Sequence, residues 1–264
     1  MASEDIFELY EEIKDYLKFI TSSDIRVKII ISLKEGPKKL GDLKDEVHMR
    51  SSSILHSMSQ LENKNLIIRE FQSYSLSQTG EMAATILINM VNSFSLIRAK
   101  EDFWLNHEID EIPEYLMDKI SCLGDFKVIS SSLSDSPEQS IFKELLLNSK
   151  VIKGIISPLI IQDKLDVLNK KEDTYFIIDS KASNDIIEVC LDDTTTIENI
   201  KLWKIKDDLK LVLIVTDNFM LLNLPQVQEN DSICYLMGET AESIKWGNEL
   251  FNYYLNQSEE LNII

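Results

Sequence analysis

The stretch from Asp24 to Gly80 constrains this chain more than any other, because it sets a fixed series of helical and extended patterns within roughly 55 residues, the length of a compact helical module. Ser22-Ser23-Asp24 offers N-cap side chains for a helix reaching Leu33. Lys34-Glu35-Gly36-Pro37 then ends that helix, since glycine accepts left-handed geometry and proline cannot continue the hydrogen-bond ladder. Leu40, Leu43 and Val47 mark the buried face of a short helix. Ser51 is placed to cap a longer helix to about Lys64, whose buried stripe is Ile54, Met58 and Leu61. Leu66 to Phe71 and Tyr74 to Leu76 read as two small strands joined at Gln72-Ser73, and Thr79-Gly80 opens a new helical pattern.

This order of elements predicts a winged helix-turn-helix, in which one short helix braces a second that fits the width of the DNA major groove. The face of the second helix opposite its apolar stripe carries Ser53, His56, Ser57, Gln60 and Lys64, with Arg50, Ser51 and Ser52 at its start. Serine hydroxyls and first-turn amides suit phosphate oxygens, while His56 and Gln60 suit base edges. Arg50, Lys64 and Arg69 suit the phosphate backbone, and a wing tip at Gln72 to Tyr74 suits the adjacent groove. A polar helix face is as readily a solvated surface, so the weight falls on the order of the elements.

The net charge of −18 runs against a polyanionic partner. Its distribution does not. From Asp24 to Ser77 nine Lys or Arg stand against seven Asp or Glu, a balance of +2, which leaves −20 for everything else. A mildly basic reading segment on an acidic body predicts low non-specific affinity and steep salt dependence.

Ahead of this segment, Ile6, Leu9, Tyr10, Ile13, Leu17 and Ile20 predict an amphipathic opening helix. After it, Met82, Ile86, Met90, Phe94 and Ile97 form the stripe of a helix running to Lys100, suited either to dimerisation or to packing on its own chain. Beyond Asp110, short apolar runs alternate with helix-like stretches, the pattern of an α/β domain. Strands are expected over 127–130, 150–156, 175–178, 200–204, 209–215 and 219–222, and helices over 137–147, 158–168, 184–189 and 239–255. Because the last strands lack intervening helices, a mixed sheet is expected. The fold class is thus mixed α+β and α/β: a winged helix over 1–78, a connector or dimerisation helix over 79–110, and an α/β effector domain over 111–264.

Two resemblances sharpen this reading. The run Ser53 to Ile67, followed by Tyr74-Ser75-Leu76-Ser77-Gln78-Thr79-Gly80, resembles prokaryotic winged-helix repressors of the ArsR and MarR type, with Ser77 where threonine is usual. Phe103-Trp104-Leu105-Asn106-His107 with Ile112-Pro113, then Gly154-Ile155-Ile156-Ser157-Pro158, and the closing run Trp246 to Tyr254 resemble a narrower group. These are archaeal regulators, mainly of methanogens, that join such a winged helix to the filamentation and methanogenesis regulator middle domain. The resemblance implies a homodimeric transcription regulator whose second domain senses an effector it does not identify.

Catalytic signatures are missing. Gly124, Gly154 and Gly238 are isolated, so no GxGxxG, Walker loop or GxSxG occurs. His48, His56 and His107 do not pair at metal-ligand spacing with one another or with Cys122, Cys190 and Cys234. The acids of Glu108 to Glu111 and Asp192-Asp193 read as solvated faces. No enzyme, cofactor or metal is therefore expected. A small-molecule enzyme or a protein adaptor that uses the winged helix for protein contacts remains the rival reading. With no apolar run of eighteen residues and no leader pattern, the expectation is a cytoplasmic protein, off the membrane, that binds double-stranded DNA as a homodimer. The aromatic set Phe103, Trp104, Trp203, Trp246, Phe251, Tyr253 and Tyr254 serves either the core or an effector cavity.

Overall fold

The computed structural model describes residues 3–132, 147–156, 171–179, 200–206, 209–228 and 232–261. The expected helices over 137–147, 158–168 and 184–189 lie outside these residues, save Leu147, as does Cys190. The chain divides into two compact units, Met1–Val91 and Asn92–Ile264.

The first unit opens with α1 (Ser3–Thr21) and α2 (Asp24–Leu33). Ser23 caps α2 by accepting from the Arg26 amide. Gly36, at a φ of 136°, takes the chain out of α2 in a conformation closed to other residues. Next come β1 (Lys38–Lys39), α3 (Leu40–Val47) and α4 (Ser51–Asn63). The sequence places Ser51 at the cap of α4; the structure puts it one residue inside, with Arg50 at the cap position and no side-chain cap bond. The hairpin β2 (Ile67–Glu70) and β3 (Ser73–Leu76) completes an antiparallel sheet of order β1-β3-β2. Helical periodicity puts Ile29, Ile30 and Leu33 of α2, Leu43 and Val47 of α3, and Ile54, Met58 and Leu61 of α4 into one core with Leu66, Tyr74 and Leu76. Each such aliphatic side chain contributes about 1.5–3 kcal/mol when removed from water.

Helix α5 (Gln78–Ala99) starts against that core through Ala84 and Leu87 and runs across the division into the second unit. It stops at Ala99, one residue short of expectation. A separate α6 (Glu101–Asn106) follows, because Lys100 leaves helical geometry at φ −127° and ψ 35°.

The second unit is built on an eight-stranded mixed sheet of order β11-β7-β6-β5-β8-β9-β10-β4. Its strands are β4 (Lys127–Ser132), β5 (Val151–Ile155), β6 (Asp173–Asp179), β7 (Ile200–Ile205), β8 (Val212–Thr216), β9 (Met220–Asn223), β10 (Ser232–Gly238) and β11 (Glu259–Leu261). Among the described residues, β5, β6 and β7 alone run parallel to one another. The remaining pairs are antiparallel, as expected where strands follow without helices. The sequence reading missed β10 and β11. The first is an unalternating apolar run ahead of a helix cap, and only its pairing with β9 and β4 makes it a strand.

Before the sheet come α7 (Glu114–Met117) and a 3₁₀ turn (Ile120–Leu123); α8 (Ala241–Leu255) packs on one sheet face. The cap of α8 is reciprocal: the Ser243 amide donates to Thr240 Oγ1 and the Thr240 amide to Ser243 Oγ, each at 3.1 Å. The Trp246 to Tyr254 run now has a physical account. Trp246 is buried and its Nε1 donates to the Leu116 carbonyl at 3.0 Å, while the Tyr254 hydroxyl donates to the Glu111 carbonyl at 2.6 Å. A Cβ on Gly247 would lie 3.0 Å from Val215 and 3.1 Å from Met220, so the glycine lets α8 approach the sheet closely. Trp246→Phe keeps most of the apolar bulk but strands a buried carbonyl. It is expected to cost about 2 kcal/mol in chemical denaturation of the second unit; an unchanged midpoint would show that this bond contributes nothing. Phe103, Phe251 and Tyr254 are likewise core, Trp104 and Trp203 are half-buried against it, and Tyr253 is at its edge.

Candidate nucleic-acid interface

Helix α4 buries Ile54, Met58 and Leu61 and turns Ser52, Leu55, His56 and Ser59 to solvent. Arg50 and Lys64 are exposed at its two ends, and Ser51 and Ser53 are half-buried at its start. Three expectations need correction. Ser57 is buried, because it lies one position from Met58 and shares the side of α4 that meets the core. Tyr74 is not at the wing tip: it sits on the core face of β3, the central strand, and is buried. Gln60 is half-buried and already engaged, its Oε1 accepting from Arg26 Nη1 at 3.0 Å.

Arg26 is a brace that sequence reasoning counted only as a charge. Its Nε donates to the Phe19 carbonyl at 2.7 Å, its Nη2 to Ser22 Oγ at 3.3 Å, and its guanidinium lies 4.4 Å from the Phe19 ring centroid. It thereby ties α1, α2 and α4 together. With Oε1 of Gln60 occupied, the amide NH₂ is the part left to donate to a base acceptor.

Besides Arg26 in its brace and Lys14, which pairs with Glu11, the cations of this unit sort into two groups. Lys28 pairs with Asp24, Lys34 with Glu81, and Lys38 with Glu35 and Glu46. Donating to Glu35 and then to Glu46 raises the Lys38 pKa, and accepting from Lys38 and then from Ser32 lowers that of Glu46. The Lys38 charge is thus spent inside the unit at neutral pH. The Glu46 contribution is present above the ordinary carboxylate range and is lost only as pH falls through its lowered value. Lys18, Lys39, Lys44, Arg50, Lys64 and Arg69 have no ion pair among the described residues. All six are exposed; Lys18 lies on α1 and the other five on β1, α3, the ends of α4 and β2. Lys39 and Lys44 were not singled out in the sequence, where nothing distinguishes a paired lysine from a free one.

The hairpin tip holds the residue that sequence reasoning missed most clearly. Glu70 pairs with Ser73, so Phe71 and Gln72 form the turn, and Phe71 is 99% exposed with a φ of 53°.

The α5 stripe faces outward. Met82 and Ile86 are each 68% exposed, Phe94 65%, and Met90 and Ile97 are also exposed, while Ala84, Leu87 and Leu96 are buried. By length and composition this helix is apolar enough to cross a membrane. Its apolar residues, however, share the exposed surface with Thr85, Asn89, Asn92 and Ser95, and Glu81 pairs with Lys34 at its start.

Within the second unit a cleft of about 890 Å³ is lined by Arg98, Lys100, Glu101, Asp102, Asn106, His107, Gln226, Gln228 and Cys234, with Phe103 beneath. His107 is buried and stacked on Phe103, and its Nδ1 lies 2.7 Å from the Phe103 carbonyl. A carbonyl only accepts, so Nδ1 donates to it; in the neutral ring Nε2 then carries the lone pair, and Nε2 is buried with no hydrogen-bond partner among the described residues. Among the described residues, no three His, Cys, Asp or Glu side chains gather as a metal site.

Comparison with known proteins adds the following. Residues 14–95 match the N-terminal domain of the methanogenesis regulatory protein FilR1, and residues 138–257 match its middle domain. The methanogenesis regulatory protein FilR1 of Methanothrix harundinacea (strain 6Ac) is 29% identical over 259 residues, taking in 93% of this chain and 58% of the relative. The chain thus spans less than two thirds of that protein's length. Among solved structures, TrmBL2, an archaeal chromatin protein with a novel mode of DNA binding, is 13% identical over 98% of this chain and 100% of its own, at a TM-score of 0.40. A phosphatidylserine synthase of Haemophilus influenzae Rd KW20 is 14% identical over 52% of this chain and 39% of its own, at 0.39. At such TM-scores neither likeness carries an argument.

Proposed function

We propose that this chain, which matches both the N-terminal and the middle domain of the methanogenesis regulatory protein FilR1, is a sequence-specific DNA-binding transcription regulator of the cytoplasm. Residues 1–78 form a winged helix-turn-helix of the ArsR and MarR type, 79–110 connect, and 111–264 regulate. The observation that carries this reading is the sorting of cations: apart from Lys18 on α1, those with no ion pair among the described residues lie on β1, α3, the ends of α4 and β2, where a duplex lying along α4 presents phosphates. Ser52 and His56 face the groove and Gln60 offers its amide NH₂, whereas Ser57 and Tyr74 support the fold.

Replacing Arg50 and Arg69 together by alanine is expected to weaken binding to all sequences about equally. The slope of log affinity against log salt should flatten by about 2. Lys28→Ala removes a cation already paired with Asp24 and should change neither. Fluorescence anisotropy on a labelled duplex at several salt concentrations reads both. An unchanged slope in the double variant would end the proposed docking.

The outward stripe of α5 supports a second copy of the chain as its cover, since a one-sided stripe marks a packing face and an all-round apolar surface marks a membrane span. The cleft at His107 supports effector binding on the second unit, where Arg98 and Ala99 close α5. A ligand with a hydrogen-bond donor for Nε2 would favour whichever α5 arrangement binds it more tightly.

A further inference from the structure

We infer that Phe71 is a wedge that enters the minor groove of double-stranded DNA and parts one base step, bending the duplex. This rests on reading the first unit as the DNA-binding module.

Two unfavourable features coincide at this residue. A bulky aromatic side chain stands almost wholly in water, on a backbone whose φ of 53° favours glycine. Glycine would be preferred there on both counts. The other left-handed residues of the unit have local reasons: His48 closes α3, and Asn65 follows the C-cap of α4. Phe71 opens the two-residue turn between Glu70 and Ser73, a position that requires a positive φ but that glycine, asparagine or aspartate fills without a large side chain in water. Strain and exposure held together at a loop tip point to function.

The arm beneath it is stiff. Tyr74 is anchored in the core, β3 is hydrogen-bonded on both sides, and the Arg69 guanidinium lies 5.5 Å from the Tyr74 ring centroid. The Ser73 hydroxyl donates to the Glu70 carbonyl across the turn at 3.1 Å. Such an arm holds the ring in place while it is pushed between bases.

Charge selects DNA as the occupant. Arg69, two residues before the tip, has no ion pair among the described residues, and a narrow minor groove concentrates the negative potential that draws arginine. Glu70 is the adjacent acid, on the opposite strand face from Arg69. Lys39 lies level with it across Ser73, so that face is not left negative. Apolar wedges open base steps and kink DNA toward the major groove, and pyrimidine–purine steps yield most readily.

The test uses the full chain and the duplex it selects from genomic fragments. Bending is read by energy transfer between fluorophores at the duplex ends, and unstacking by 2-aminopurine placed along the site. Phe71→Gly is expected to unfold at the same or a higher temperature than the unsubstituted protein, to bind about tenfold more weakly, and to lose both the bend and the 2-aminopurine signal. Phe71→Leu should keep part of the bend. If Phe71→Gly bends and binds like the unsubstituted protein, or loses only a protein–protein association, the wedge is wrong. If that happens while Arg50→Ala with Arg69→Ala still weakens binding, the DNA-binding reading survives without it. If the arginine variant also binds normally, both fall.

Discussion

Ile86→Glu combined with Phe94→Glu is expected to leave the protein monomeric at micromolar concentrations. The two side chains are 68% and 65% exposed, so neither substitution removes a contact that the chain needs in order to fold. Each would be covered by a second copy, and burial of such a side chain contributes about 1.5–3 kcal/mol. Two positions on two protomers give roughly 6–12 kcal/mol, and half of that raises the dissociation constant a hundredfold or more. Placing four carboxylates in an apolar seam adds to the effect. Sedimentation velocity over a concentration series reads it directly, with binding to a two-half-site duplex falling in parallel. A dimer that survives both substitutions would place the self-contact elsewhere, and an unsubstituted protein that is monomeric throughout would remove it.

Gly80→Ala should unfold the first unit well below its normal midpoint. A Cβ there would stand 1.9 Å from the Leu66 carbonyl oxygen and 2.9 Å from its carbon. The obstacle is backbone that cannot move aside: Leu66 is buried, its amide donates to the Leu61 carbonyl at 3.0 Å, and its carbonyl accepts from the Ser77 amide at 3.0 Å. Ser77 Oγ and Thr79 Oγ1 both donate to the Asn65 carbonyl, fastening the start of α5 to the turn after α4. The expected loss is about 3 kcal/mol or more, a fall of roughly 12 °C or more for a unit of this size, with the second unit's transition unmoved. Gly41→Ala, with nothing within 4 Å, serves as the control and should be neutral or slightly stabilising. Equal midpoints for the Gly80 and Gly41 variants would mean that α5 does not approach Leu66 so closely.

The glycine of the Tyr-x-Leu-x-x-x-Gly pattern therefore has a steric cause, which the sequence displays only as a resemblance. A similar division runs through the site. His56, Arg50 and Lys64 were legible because helical spacing and the helix ends put them away from the apolar stripe, and Arg69 because of its charge alone, since strand spacing sets it on the face of Ile67, across from Tyr74. Ser57 and Tyr74 misled for the converse reason: polarity was taken as exposure, yet a small hydroxyl and an aromatic ring both fit against a core. Gln60 looked free because its partner, Arg26, lies on another helix. Phe71 passed as the end of a strand, since apolar residues are what strands are made of, and its exposure depends on the turn register.

What the sequence by itself determined is local. The periods of 3.6 and 2, the Ser-Ser-Asp cap and the Gly-Pro stop set which helices form, in what order, and which residues share a face. They also set the mixed character of the sheet, because strands that follow without helices must pair antiparallel. What only the tertiary structure decided is which faces are covered: that α5 buries Ala84, Leu87 and Leu96 and leaves Ile86 and Phe94 outside, that β10 enters the sheet, and that Lys38 is spent while Arg69 is free. The physical reason is that periodicity acts along the chain, whereas burial and charge pairing depend on groups many residues away, brought close only when the chain has folded.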